Sequence, residues 1–308
     1  AFFFKNNLRL INFKEIIGCY HKKRKRKEEK IMKKILNNPI ALSMLISFLY
    51  LVGANIIAIV PYFMNISNPI ISAVVSLLIT VLPAIAMVFI TKKIVGNTYD
   101  IGLNTKNLKK GILLASPCLI YKTIMLIYNI FVAKEYPSLA LDVVVIALCS
   151  ALSAGVSEEL LNRGIYTNIM ASKWAKTGTG IFLAAIISSL FFGCSHLVNV
   201  FIVGKMTSAI IWQILYATAI GCGFAAAYIR TKNLWGCIII HTIYDFIPFL
   251  FTSGAGTNES LKIILSQPVT TVGIITNLIV IALGIGSMLI LLRPSKHEEI
   301  RKLWATEA

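Results

Sequence analysis

The chain has 308 residues, 57% hydrophobic and only 14% charged, with a formal net charge of +17 and a mean hydropathy of +0.77. That leaves too little polar side-chain surface to close a water-soluble globule, which argues against soluble enzymes and soluble nucleic-acid binders. The class that remains is all-α: a polytopic membrane protein.

Ahead of the apolar part, ten of the thirty basic residues fall in 1–31, mostly in HKKRKRKEEK. Met32 then opens MKKILNNPIALSML, a basic cap followed directly by an apolar span. Residues 1–31 therefore read as a non-native upstream extension or a basic disordered tail. Such charge is drawn to anionic headgroups, so membrane lipids, and not nucleic acid, are the expected partners. No feature of the sequence sets an oligomeric state.

Apolar runs of roughly 20 residues, the length that crosses a hydrocarbon core, lie near 39–60, 69–90, 112–133, 141–161, 180–204, 207–229, 234–251 and 269–292. They predict about eight transmembrane helices in one bundle over 32–308. Their loops alternate in charge. The 91–111 loop holds five lysines, 172–178 holds Lys173 and Lys176, 230–233 holds Arg230 and Lys232, and the tail holds Arg293, Lys296, Arg301 and Lys302. On the other side stand Lys134, Lys205 and Lys262. Because Lys and Arg gather on cytoplasmic loops, both termini are expected in the cytoplasm. The Lys, Ile and Asn richness suggests an AT-rich genome, and hence a bacterial plasma membrane. The six cysteines form no CxxC pair and read as small buried hydrophobes.

Of thirteen acids, Glu158, Glu159 and Asp245 fall clearly within spans; of four histidines, His196 and His241 do. A charged side chain in hydrocarbon costs about 2.5 kcal/mol or more and is by default a functional hypothesis. Lys122, in the third span, reads as snorkelling or facing protein. The remaining groups form three clusters: EELLNR at 158–163, FGCSH at 192–196 and HTIYD at 241–245. Residues four apart share a helix face. Glu159 can therefore pair with Arg163 while Glu158, about a hundred degrees round, points elsewhere. By the same spacing His241 and Asp245 form one polar face, and Phe192 can pack beside His196.

This ordered set, EExxxR, FxxxH and HxxxD, resembles the CAAX-protease and bacteriocin-processing family of intramembrane endopeptidases, also called the Abi family, and is similar to its type 2 CAAX prenyl proteases. The resemblance covers about Ala140 to Pro248. It implies an eight-helix membrane endopeptidase whose site opens toward the cytoplasmic side. Its two glutamates fall on Glu158 and Glu159, its arginine on Arg163, its histidines on His196 and His241, and a position held by asparagine in the eukaryotic enzymes on Asp245. Peptide hydrolysis needs an activated water, a stabilised oxyanion and a proton for the leaving amine. Glu158 would serve as base and then as proton donor, and His196 and His241 would bind the oxyanion or protonate the leaving nitrogen. Asp245 would orient His241, Glu159 with Arg163 would fix the helix, and Phe192 would pack.

The same four donors, Glu158, His196, His241 and Asp245, would suit Zn²⁺, although no HExxH pair is present to pre-form a site, and the resemblance leaves both mechanisms open. A noncatalytic bacteriocin-immunity or binding protein of the same fold is the alternative. A cation-coupled transporter would predict inverted repeats, which the sequence does not show. The expected substrate is a peptide precursor, such as a bacteriocin or pheromone leader, or a small membrane protein. Depth poses a difficulty. His196 follows the 172–178 loop by eighteen residues, about 27 Å of helix, whereas His241 follows Asn233 by eight. The two meet only if the hairpin NRGIYTNIMASKWAKTGTG projects beyond the membrane surface.

Overall fold

A computed structural model of the chain describes residues 33–58, 66–96, 99–251 and 258–305, together with Lys30. The rest of the basic segment 1–31, and Met32, lie outside the described residues. In chain order the elements are α1 (Pro39–Ala58), α2 (Pro69–Val95), α3 (Leu108–Ala115), α4 (Pro117–Tyr128), α5 (Leu141–Glu159), α6 (Gly178–Ser195), α7 (Ser208–Thr231), α8 (Leu234–Phe251), α9 (Asn258–Ser266), α10 (Thr271–Leu291) and α11 (His297–Trp304). No strand occurs among the described residues. Helix starts follow the local chemistry. Asn68 Oδ1 accepts the N–H groups of Ile70 and Ile71, and Pro69 stands where a missing N–H costs nothing.

The protein is an all-α, multi-pass membrane protein. Six described helices are long and apolar enough to cross a bilayer, and a seventh if α3 and α4 count as one span bent by 53°. The bend falls at Ser116–Pro117, where proline removes a backbone donor and its ring obstructs the preceding turn. The first expected span, near 39–60, corresponds to α1, a helix of 20 residues whose side chains are described through Gly53, and it is not counted among these spans. Outward-facing Phe89 and Phe201 are 67% and 87% exposed, as befits a surface solvated by lipid.

Helix α7 forms the centre. Half of its apolar window, 50%, is buried inside the protein, against 17% for α2. It packs on α6 and α10, while α8 packs on α5 and α3, and α2 on α5. Glycines allow these approaches: a Cβ on Gly284 would strike the backbone of Ala219, and one on Gly236 the backbone of Gly111.

The depth difficulty is resolved by a set of hydrogen bonds at one level. The Thr167 and Ser188 hydroxyls are hydrogen-bonded, with Oγ1 and Oγ 2.9 Å apart. Asn168 Nδ2 donates to Tyr228 Oη and to the Asp100 carbonyl, each at 2.8 Å, and the Leu234 N–H reaches the Gly102 carbonyl at 3.1 Å. Glu158, Glu159, His196 and His241 each lie seven to ten residues inward of this level, about 10 to 15 Å at 1.5 Å per residue. On its other side the hairpin continues outward. Lys173 Nζ donates to the Asn37 carbonyl at 2.7 Å, and the Phe182 ring stands 6.0 Å from that of His297.

Candidate active site

The first cluster sits where the backbone changes character. Helix α5 widens after Glu159 into a π-helical stretch, Leu160–Thr167, before resuming α geometry over Asn168–Trp174. Such widened turns disturb the regular i−4 ladder and recur at functional sites. Here the disturbed groups find partners. Tyr99 Oη donates to the Gly164 carbonyl at 2.5 Å, Asn162 Nδ2 to the Glu158 carbonyl at 2.7 Å, and Thr167 Oγ1 to the Asn162 carbonyl at 2.8 Å.

Adjacent glutamates emerge from this turn into opposite surroundings. The Glu159 side chain is 0% exposed and that of Arg163 is 1% exposed, with Arg163 Nη1 donating to Glu159 Oε1 at 2.7 Å. Arg163 Nη2 also donates to the Gly221 carbonyl at 3.2 Å. The Glu158 side chain, by contrast, is 32% exposed and faces α8, with Oε2 at 3.7 Å from His241 Nε2.

His241 joins the two glutamates. Its Nδ1 lies 2.7 Å from Glu159 Oε1, and since an arginine-paired carboxylate only accepts, Nδ1 carries the proton and donates. Nε2 is thereby turned toward Glu158 and toward Asp245 Oδ2, 3.4 Å away. A single Glu159 oxygen thus receives both Arg163 and His241. Asp245, expected from its spacing to orient His241, is not its closest partner. The short bond comes from Glu159, which reaches from α5 to α8, and such a second-nitrogen bond fixes the tautomer and ring direction of a histidine.

Aromatic rings form the wall. Phe192 packs edge-on against His196 at 5.5 Å and against His241 at 6.1 Å between ring centroids, while the Arg163 guanidinium lies 4.9 Å from its centroid. Phe192 is therefore shared by both histidines and the arginine, beyond the single packing contact its spacing suggested. His196 is brought to the site through this ring; among the described residues it makes no hydrogen bond to the carboxylates. Sequence reasoning missed Phe224 on α7. It lies 5.5 Å from the His241 ring and 5.1 Å from the Arg163 guanidinium. A signal was present: Phe224 is a lone large side chain in the small-residue run GCGFAAA. An apolar recess lined by Cys118, Tyr121, Phe224, Tyr244 and Leu283 adjoins this wall.

Glu158 Oε2 and Asp245 Oδ2 approach His241 Nε2 at 3.7 and 3.4 Å, while His196 makes no hydrogen bond with any of the three among the described residues. No group of three or more His, Cys, Asp or Glu side chains among the described residues is placed to hold a metal ion. With His241 Nδ1 bonded to Glu159, only Nε2 of that ring could ligate a metal, and as placed the donors around it do not fit the tetrahedral shell of zinc.

Four helices of a membrane bundle thus converge on a sealed Glu-Arg pair, a histidine bound to it, and a more open glutamate beside that histidine. Residues 140–247 match the family described as Type II CAAX prenyl endopeptidase Rce1-like. The match spans about a third of the chain, agrees within a residue with the 140–248 expected from the motifs, and contains Glu158, Glu159, Arg163, Phe192, His196, His241 and Asp245. The family is one of membrane proteases. No curated protein and no solved structure matches the chain.

Proposed function

We propose that this protein is an intramembrane endopeptidase that hydrolyses a peptide bond with a water activated by Glu158. The observation that carries the reading is the unequal fate of two neighbouring carboxylates: Glu159 sealed at 0% exposure between Arg163 and His241, and Glu158 open at 32% beside His241 Nε2. A sealed, paired carboxylate holds geometry. An unsealed one beside an imidazole can move a proton when a water is bound between them.

In the proposed reaction Glu158 takes a proton from water as the oxygen adds to the scissile carbonyl carbon. The carbonyl oxygen becomes an oxyanion and accepts hydrogen bonds from His196 and from a proton on His241 Nε2. The carbon–nitrogen bond then breaks, the carbonyl re-forms, and Glu158 returns its proton to the leaving amine. Glu159 keeps the His241 ring directed, and Asp245 favours a proton on its Nε2. The substrate is a peptide precursor or a small membrane protein whose apolar side chain fits the recess beside Phe224. The loop charges support both chain ends in the cytoplasm, the Lys, Ile and Asn richness supports a bacterial plasma membrane, and the resemblance supports a site that opens to the cytoplasmic side.

The test is cleavage of a quenched-fluorescent peptide library by the purified protein in detergent, comparing wild type with Glu158→Gln, with and without chelator and added Zn²⁺. Cleavage abolished by the substitution and indifferent to chelator supports the glutamate-activated water. Loss with chelator and recovery with zinc would replace it by a metal mechanism using Glu158, His196, His241 and Asp245. Absence of cleavage across the library would favour a noncatalytic immunity or binding role.

A further inference from the structure

Helix α4 carries a charge deep in the bundle that the proposed hydrolysis does not use. Lys122 lies eleven residues past Gly111, which touches Gly236 near the inner end of the loop level, and eleven before Ala133, where the helical stretch ends. The second interval is about 16 Å of helix and the first runs through the bend at Ser116–Pro117, so Lys122 stands well inside the bundle from the end at Ala133, farther than a lysine stem reaches. Its side chain is half-buried, and a lysine at this depth calls for a partner.

The surroundings of Lys122 point to α8. Its ammonium lies 4.2 Å from the centroid of the Tyr244 ring and 5.8 Å from that of its neighbour Tyr121; it makes no direct ion pair with Asp245, so any attraction between the two charges acts through space. Tyr244 precedes Asp245 in the chain, so the ring under the ammonium belongs to the turn that carries the carboxylate. Across the site, Arg163 is committed to Glu159 at 2.7 Å. The direct ion pair of Arg163 is thus with Glu159, and Lys122 is the basic side chain seated on the α8 turn that carries Asp245.

We propose that Lys122 is the counter-charge of Asp245 and a positioning residue of the site. From α4 it holds the Asp245 carboxylate against His241 Nε2, through a cation seated on Tyr244. The site then has two pairings of charge, Arg163 with Glu159 along α5 and its π-helical continuation, and Lys122 with Asp245 across α4 and α8. His241 lies between the two acids. The role in hydrolysis rests on the function proposed above; the pairing itself does not.

A double-mutant cycle on the full chain in detergent tests this, with Lys122→Met, Asp245→Asn and the double variant, and Lys122→Arg as the conservative control. Thermal unfolding and peptide cleavage are both read. Lys122→Met is expected to lower Tm and to cut kcat tenfold or more with KM little changed. The double variant should have a Tm at or above that of Lys122→Met, because no charge is left alone, and Lys122→Arg should restore both Tm and kcat. If Lys122→Met does not fold, recovery of folded protein in the double variant and in Lys122→Arg is the supporting result, and failure of both overturns the pairing. Additive Tm losses also overturn it. Should the wild type cleave nothing, the proposed function fails while the Tm cycle still decides whether Lys122 and Asp245 are partners.

Discussion

Glu159 is the residue on which the site turns, since one of its oxygens accepts from both Arg163 and His241. Removing one member of a buried, hydrogen-bonded charge set leaves the others uncompensated, at a cost of about 3–5 kcal/mol. Glu159→Ala is therefore expected to lower Tm sharply and lose folded protein, as followed by fluorescence-detected gel filtration. Glu158→Gln should retain the wild-type Tm and lose about 10²–10⁴-fold in cleavage rate. A stable Glu159→Ala with an unfolded Glu158→Gln would reverse the division of labour between them. Phe224→Leu keeps an apolar side chain but loses the ring over Arg163, a cation–π contact worth about 1 kcal/mol. It should lower Tm modestly and cut kcat by repositioning His241.

At the scale of the elements, close approach is what assembles the site. Gly155 places α5 against α8, since a Cβ there would collide with Thr242, the neighbour of His241. Gly155→Val should push Glu158 away from His241 and abolish cleavage together with stability. Gly286 has nothing within 4 Å of a Cβ, so Gly286→Ala on α10 should leave Tm and activity unchanged; a loss there comparable to that of Gly155→Val would mean that helix approach is not the cause. The Glu159–Arg163 pair and the Phe192–His196 contact were legible because fixed helical spacing puts those side chains on one face. The contact of Glu159 with His241 was not, because it joins residues 82 positions apart, and no periodicity within one helix reports on its neighbour. The widened turn at Leu160–Thr167 was equally hidden. Its residues suit an ordinary helix, and the Tyr99 hydroxyl that bonds its Gly164 carbonyl comes from a loop 65 residues away. The third span was read as one run because hydropathy is blind to direction, although Pro117 marks the 53° bend.

Across the whole molecule, the loop side is tied together by α11. Trp304 Nε1 donates to the Ile229 carbonyl at 2.9 Å, and Glu299 accepts from Lys110 at 2.6 Å and from Arg230 at 3.1 Å. The hydrogen bond from Lys110 comes first in holding the Glu299 carboxyl below its usual range, with the charges of Arg230 and Lys110 adding to it. A group whose folded pKa is depressed contributes stability above its unfolded value, and that contribution is lost as pH falls through the folded value. The side chain is 43% exposed, so solvent and salt weaken the effect. Docking of α11 is expected to loosen on acidification below about pH 4, and this pH dependence should shrink at high salt. Hydrogen exchange at 297–304 would show this, and Glu299→Gln should remove the pH dependence.

The level at which Thr167, Ser188 and Tyr228 bond their neighbours also acts as a ruler. Glu158 and His241 lie about 10 to 15 Å inward of it, a distance that about four residues cover when fully extended at roughly 3.3 Å each. A helical segment would need about twice as many. A peptide threaded from the loop side thus reaches the proposed water-activating glutamate with only its first few unwound residues past the rim. The cut would therefore be chosen by distance from the point where substrate order gives way to an extended strand, as much as by the side chains flanking the bond.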